Sequence, residues 1–421
     1  MLAPLVLVGA VRLWPRPSFA VALAAGLGFA ALAMLALQAV LPSRAGPITA
    51  PFGIERLLGF HRVAGILVLI LVVGHVVVLV AEDPAKLWLF DSLHAPWRAR
   101  AAALSLVALL ALTATSLWRR GMRLAYERWR GLHLALAAVA LLAGVIHALL
   151  VGRYLSVATL RVAVALLAVA AVAGMVWLRV ARPLAASRLP YRIREVRPER
   201  GHATTLVLEA DGHGGRPFRP GQFAWLKLAD APLSLREHPF SYVSSAHRPA
   251  RPAFTIKALG DFTSAVPALR PGQSVLVDGP HGGYRLDRHA PGHILVAGGV
   301  GITPVMSMLR TLDEDGGDAP PMLLVYGSGD WESVTFREEL ADLERRLPLR
   351  VVHVLLDPPP AWTGETGLVD PALLARVAPA GARDWHAFVC GPPGLVRAAA
   401  DALTALGLPH ERIHLERFVA A

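Results

Sequence analysis

Cysteine is nearly absent from this chain. Its 421 residues contain one, Cys390, so neither an intramolecular disulfide framework nor a cysteine-ligated iron–sulfur cluster can be built. Lysine is almost as scarce. Lys86, Lys227 and Lys257 are the only three, and the formal net charge of +11 therefore rests on arginine. No clustered basic helix or aromatic RNA-binding motif accompanies that charge, which points to positive loops beside a membrane and away from nucleic acid. Acids are missing from the middle of every long apolar run, since Glu55, Glu82 and Glu127 all lie at ends. A proton pump or ion-coupled transporter would need such groups. No small-x-small cleavage site precedes a polar segment near the N-terminus, and further apolar runs follow at once, so a signal peptide is not expected.

What is present is hydrophobic and unevenly spread. Apolar residues make up 54% of the sequence, concentrated in the first ~185 positions, where five runs have membrane-spanning length. They are about Ser18–Leu41, Ile54–Ala81, Arg100–Leu117, Tyr126–Val151 and Val157–Val180. A shorter segment, Leu2–Leu13, precedes them as a shortened first span or an interfacial helix, giving five to six spans. Two of the runs share a pattern. GFHRVAGILVLILVVGH carries His61 and His75, and GLHLALAAVALLAGVIH carries His133 and His147, fourteen residues apart in each case. Fourteen residues is close to four helical turns, so each pair lies on one helix face, separated by ~21 Å. Side by side, the two helices would offer facing imidazoles at two depths, each pair able to ligate a haem iron from both sides. Of sixteen histidines only these four fall inside the apolar runs, where an ionisable group is costly and usually functional. Zinc is a poor candidate because it needs four ligands at one point.

Arginine sets the expected topology. The loop WRRGMRLAYERWR carries Arg119, Arg120, Arg123, Arg128 and Arg130, and the exit from the last run carries Arg179, Arg182 and Arg188. Both are expected to be cytoplasmic, as is the Leu41–Ile54 loop. His61 then pairs with His133 on the inner side and His75 with His147 on the outer side. The loops 82–98 and 152–156 face outward, and Trp88, His94 and Arg153 there are candidates for contact with an external electron acceptor.

From about Leu184 the pattern changes to short alternating strands. YRIREVRPE, ATTLVLEAD, QFAWLKLAD, FSYVSSA, AFTIKALG and SVLVDGP suggest a six-stranded antiparallel barrel. Then HILVAGGVGITPVMSMLRTL begins a regular strand–helix alternation that predicts a doubly wound parallel α/β sheet. Gly298, Gly299, Gly301, Ile302, Thr303 and Pro304 sit at a strand mouth and a helix start, where a pyrophosphate would bind. The segment is not a full G-x-G-x-x-G, because Pro304 stands at the last glycine position. The expected domains are 1–185 (membrane), 186–289 (barrel) and 290–421 (α/β).

These segments resemble the ferric reductase and NADPH oxidase superfamily, in particular its compact bacterial members. His238-Pro239-Phe240-Ser241 resembles the flavin motif H-P-F-[ST]. Gly260-Asp261-Phe262-Thr263 resembles G-x-x-[ST]. Gly298–Pro304 resembles G-G-x-G-[IV]-T-P, Cys390-Gly391-Pro392 resembles C-G-P, and Glu416-Arg417-Phe418 resembles the terminal E-x-F. The resemblance implies FAD in the barrel, NAD(P)H on the α/β domain and two b-type haems on the four histidines. It implies Ser241 at flavin N5, Pro239 and Phe240 on the flavin wall, and His238 toward the ribityl or phosphates. Thr263 and the Phe262–Ser264 amides would meet the flavin pyrophosphate, with Lys257 and Gly260 beside them. Cys390, Gly391 and Pro392 would lie at the nicotinamide, Phe418 would stack on the flavin, and Ser328 would receive a 2′-phosphate, whereas Asp330 would favour a free 2′-hydroxyl. Arg56, Arg62, Arg128 and Arg130 would reach the inner haem or simply serve as loop charge. The implied activity passes electrons from cytoplasmic NAD(P)H through FAD and both haems across the inner (plasma) membrane to an outer acceptor. That acceptor is oxygen, giving superoxide, or alternatively a ferric or cupric chelate. Rival readings feed a quinone or partner protein, or treat the spans as a mere anchor. No calcium-binding loop accompanies the motifs.

Overall fold

The structure, a computed structural model, describes residues 17–39, 41–42, 54–91, 93–186, 188–228, 237–284, 286–316 and 319–417. Leu2–Leu13 and Phe418 lie outside the described residues. The chain divides into two compact units, Met1–Pro183 and Leu184–Ala421.

The first unit is helical. Its described residues form five helices long and apolar enough to cross a membrane: α1 (Phe19–Gln38), α2 (Ile54–Glu82), α3 (Trp97–Leu117), α4 (Tyr126–Val151) and α5 (Ala158–Val176). A π-helical turn, Trp177–Ala181, continues α5. The outward-assigned loop after α2 is not extended. Asp83 caps a 3-10 helix, Pro84–Phe90, by accepting from the Ala85 amide. Small residues bring the helix backbones together. Ala31 and Met34 of α1, Ala64 and Val68 of α2, Ala108 and Leu109 of α3 and Ala140 of α4 form one buried cluster. The Ser105 hydroxyl donates to the Ala140 carbonyl across α3 and α4 at 2.8 Å. The opposite faces leave large apolar side chains uncovered, among them Val63, Ile70, Val107, Leu166 and Val169. Such a surface is stable against lipid tails and costly against water.

The second unit begins with six antiparallel strands: β1 (Tyr191–Glu199), β2 (Ala203–Ala210), β3 (Phe223–Leu228), β4 (His238–Ser241), β5 (Ala253–Lys257) and β6 (Ser274–His281). Their order is β4-β3-β6-β1-β2-β5, and a Tyr242–Phe254 bridge brings the two edges together, so the barrel is nearly closed. Alternation builds its core. Tyr191 and Ile193 point inward while Arg192 and Arg194 stay exposed. Inside, Phe218 stacks on Tyr242 at 4.0 Å.

A parallel sheet follows: β7 (His293–Gly298), β8 (Met322–Ser328), β9 (Leu349–Leu355), β10 (Glu365–Thr366), β11 (His386–Gly391) and β12 (Ile413–Arg417), in the order β10-β9-β8-β7-β11-β12. Helices Arg337–Arg346, Pro371–Val377 and Pro393–Ala405 accompany helix α6 (Ile302–Asp315), which leaves β7 through the glycine turn. Strand order reverses between β7 and β11. A doubly wound sheet opens its ligand crevice at that switch point, beyond the carboxyl ends of the strands. Helix α6 also ties the sheet to the barrel. Arg310 forms two hydrogen bonds with Glu339, at 2.7 and 2.6 Å, and one with the Val243 carbonyl at 2.7 Å. The Ser307 hydroxyl donates to the Ser244 carbonyl at 2.8 Å.

Candidate functional site

Two sites emerge, one in each unit. In the first, α2 and α4 bring the four histidines together in the expected pairs. The His61 and His133 rings lie 6.2 Å apart, centroid to centroid, and those of His75 and His147 lie 6.3 Å apart. Metal–imidazole bonds are ~2.0–2.1 Å long, so two imidazoles on opposite sides of one metal have centroids roughly 6–6.5 Å apart. Both pairs have a separation that would let one metal centre be held between them. Among the described residues no group of three or more His, Cys, Asp or Glu could hold a metal ion, so metal binding here would rely on a cofactor that fills its remaining positions itself.

Three of the four rings have a partner on Nδ1. His75 Nδ1 meets the Ala24 carbonyl at 2.7 Å and His147 Nδ1 meets the Arg98 carbonyl at 2.8 Å. A carbonyl can only accept, so both Nδ1 atoms carry the proton and Nε2 keeps the lone pair that a metal needs. His133 Nδ1 lies 3.1 Å from the Ser116 hydroxyl. His61 Nδ1 is buried with no hydrogen-bond partner among the described residues. Helix α1 supplies more than an acceptor, because a Cβ at Gly28 would sit 3.1 Å from His75 Nδ1. At the other level Trp129 packs 5.2 Å from His133, and Arg119 lies over the Trp129 and Tyr126 rings. Of the four arginines expected near the His61–His133 level, Arg130 is buried, while Arg56, Arg62 and Arg128 are exposed. Of the loop candidates, Trp88 and Arg153 are exposed, and the exposed His94 pairs with Asp91 at 2.8 Å.

In the second unit the barrel motifs converge. The His238 ring stacks on Phe262 at 3.9 Å, and Phe240 lies parallel to Phe262 at 6.1 Å. Pro239 is exposed on the same strand. Ser241 is 3% exposed, and its hydroxyl has no hydrogen-bond partner among the described residues. An orphaned hydroxyl in a buried site costs free energy unless a ligand meets it. The Gly260–Ala265 turn differs from the sequence expectation. The Thr263 hydroxyl accepts from the Leu259 and Gly260 amides at 2.8 and 2.9 Å and donates to the Gly260 carbonyl. The Ser264 amide also donates to the Gly260 carbonyl, at 2.8 Å. Both groups are engaged inside the turn, and they shape the loop.

At the switch point the glycines fit tightly. A Cβ on Gly301 would lie 2.2 Å from the Cys390 carbonyl, and one on Gly298 would lie 2.9 Å from Leu395 and Pro392. Gly391 faces Gly298 at similar range, with its Cβ position 3.1 Å from the Gly298 nitrogen. Gly299 has φ of +54°, and Lys257 Nζ reaches to 4.0 Å of its Cβ position, which places one cation beside the turn. Thr303 donates to the Val300 carbonyl at 3.0 Å and Tyr326 to the Gly299 carbonyl at 3.1 Å. Burial pushes the Tyr326 phenol up to about 12, so it remains a donor. Cys390 is fully buried at the end of β11, paired with Ala297 of β7 and Glu416 of β12. Burial, with Cys390 and Glu416 nearby, pushes the Tyr284 phenol well up. Ser328 ends β8, buried. Past it, Asp330 accepts from the Ser333 amide at 2.7 Å. Arg337 is held by Glu332, Glu338 and the Trp331 carbonyl.

Several contributors were not visible in the sequence. Gly28, Ser116, the Ala24 and Arg98 carbonyls, Tyr284 and Arg310 belong to no motif. Spacing gives no signal for a backbone carbonyl.

Comparison with known proteins follows the same division. Residues 27–144 match a family described as ferric reductase like transmembrane component, and residues 295–401 match an oxidoreductase NAD-binding domain. The chain thus joins a ferric reductase like transmembrane domain to an oxidoreductase NAD-binding domain, the combination that the sequence motifs resemble. NADH-cytochrome b5 reductase 2 of Neurospora crassa is 35% identical over 143 residues, covering 33% of this chain and 42% of the relative. NADH-cytochrome b5 reductase 1 of Candida glabrata is 31% identical over 157 residues, covering 36% of this chain and 55% of the relative. The chain thus spans about half the length of these relatives. Among solved structures, the FAD/NAD-binding domain of Vibrio cholerae nitric oxide dioxygenase has 23% identity and a TM-score of 0.48, covering 55% of this chain and 98% of that one. The cytochrome b5 reductase domain of Ulva prolifera nitrate reductase has 18% identity and a TM-score of 0.48, covering 54% and 96%.

Proposed function

We propose that this protein is a transmembrane oxidoreductase that passes electrons from cytoplasmic NAD(P)H, through FAD and two bis-histidine haems b, to an acceptor on the outer side. Oxygen is the proposed acceptor, with superoxide as product. The observation that carries the reading is the pair of matched imidazole separations, 6.2 and 6.3 Å, on two parallel apolar helices. When bound, FAD would take two electrons as a hydride and release them singly, and haem b would carry single electrons.

The residues have separable tasks in this reading. His61 with His133, and His75 with His147, would hold one haem each. Held in this way, each haem would supply single-electron transfer, and the acceptor would be reduced without binding iron. Ser241 would direct its free hydroxyl at the flavin, and the His238–Phe262–Phe240 stack would wall it. Gly298, Gly299, Gly301, Gly391 and Pro392 would admit the nicotinamide dinucleotide to the crevice, with Lys257 beside its phosphates and Cys390 below the ring. The arginines of 119–130 and 182–188 would hold those loops on the cytoplasmic side of the plasma membrane. NADH is the proposed donor. Asp330 would read a ribose hydroxyl, Arg337 is already ion-paired with Glu332 and Glu338, and the curated relatives bear NADH in their names.

Anaerobic mixing of the purified, FAD-supplied protein with NADH tests the path. The expected result is b-type haem reduction, followed on admitting air by superoxide formation that superoxide dismutase suppresses. Haem that stays oxidised would contradict it. Faster reduction of a ferric or cupric chelate than of oxygen would reassign the acceptor.

A further inference from the structure

The four candidate ligands differ in what holds their Nδ1 atoms. Two rings, His75 and His147, use backbone carbonyls. His133 uses a side chain on another helix, the Ser116 hydroxyl of α3, 3.1 Å away. That hydroxyl has a single proton, and its direction follows from a second contact. Ser116 Oγ lies 2.6 Å from the Leu112 carbonyl, one turn back on α3. A carbonyl can only accept, so Ser116 must donate to Leu112 there. Only its lone pairs are then left for His133, and Nδ1 must be the donor. The same oxygen donates and accepts, an arrangement in which each bond polarises the other. Ser116 is placed near the C-terminal end of α3, and no other residue's motif predicts it.

We propose that Ser116 is a positioning residue for the His61–His133 level: it selects the Nδ1–H tautomer of His133, frees Nε2 toward iron, and makes that nitrogen a stronger electron donor. The inference rests on the haem reading above. It assigns a side-chain control to one level, whereas the other level is set by main-chain atoms that substitution cannot remove. A proton pulled toward an acceptor on Nδ1 raises the basicity of Nε2, and a more basic axial ligand favours oxidised iron and lowers the reduction potential. Loss of the acceptor should therefore raise the potential of one haem alone.

Potentiometric titration of full-length protein, followed at the b-type absorbance bands, tests this with Ser116→Ala and Ser116→Thr. The expected wild type holds two haems and titrates as two components. Ser116→Ala is expected to shift one component to higher potential, or to lose that haem, while the other stays in place. Ser116→Thr keeps a hydroxyl able to bond the same carbonyl and should restore the wild-type titration. The proposal is overturned if Ser116→Ala leaves both components where they were with both haems bound, if both shift equally, or if Ser116→Thr behaves as Ser116→Ala. A wild type that binds no haem overturns the underlying haem reading, which is a different result from an unmoved titration.

Discussion

Gly301 has no room for a side chain, since its Cβ would sit 2.2 Å from the Cys390 carbonyl. Gly301→Ala must displace either the turn or the end of β11, and both line the crevice. We expect NADH-driven haem reduction to fall at least ~10-fold, equivalent to ~1.4 kcal/mol, while dithionite still reduces the full haem complement. Ser241 makes a different prediction, because its hydroxyl is buried and unpartnered among the described residues. Ser241→Ala removes no internal hydrogen bond, so stability should hold, and stopped-flow hydride transfer should slow while FAD stays bound. Buried His293 and half-buried His353 give a pH dependence. Burial lowers His293 and His353 to about 4, against ~6.5 for an unfolded histidine. Between those values the unfolded chain binds more protons than the folded one. Stability is therefore complete above ~6.5 and declines as pH falls toward 4, by up to ~1.4 kcal/mol per pH unit for each ring. The thermal midpoint of the detergent-solubilised protein should drop on going from about pH 7.5 to about pH 5, and His353→Phe should drop less.

At the scale of elements, the periods were legible. Alternation marked the six barrel strands, strand–helix alternation marked the parallel sheet, and unbroken apolar runs marked the five long helices. The equal spacing of His61–His75 and His133–His147 was enough to pair them by depth, because both helices run the same way. The sequence could not show what meets the far side of each ring. The acceptors for His75 and His147 are main-chain carbonyls of Ala24 and Arg98, and any residue type carries one. Thr263 shows a local bond that the motif does not reveal. Its hydroxyl, expected at a pyrophosphate, is met by the Leu259 and Gly260 amides, which are closer in sequence, as local competition favours. Helix α1 has no histidine, but its Gly28 packs so closely on His75 that an added Cβ would lie only 3.1 Å from Nδ1. Gly28→Val should therefore displace that ring and cost the haem of the His75–His147 level, read as lower haem content with the α-helical circular dichroism unchanged.

At the scale of the whole molecule, the proposed function would give each unit one half of a redox chain: a crevice for a soluble two-electron donor, and paired imidazoles inside apolar helices. The account makes those pairs the route between the two faces of the membrane. The most direct test is the haem content of the full-length protein, from dithionite-reduced minus oxidised spectra of wild type and His75→Ala. The account predicts b-type spectra with two haems per chain in the wild type and one in the variant. A wild type without b-type absorbance, or a variant with undiminished haem, would contradict it.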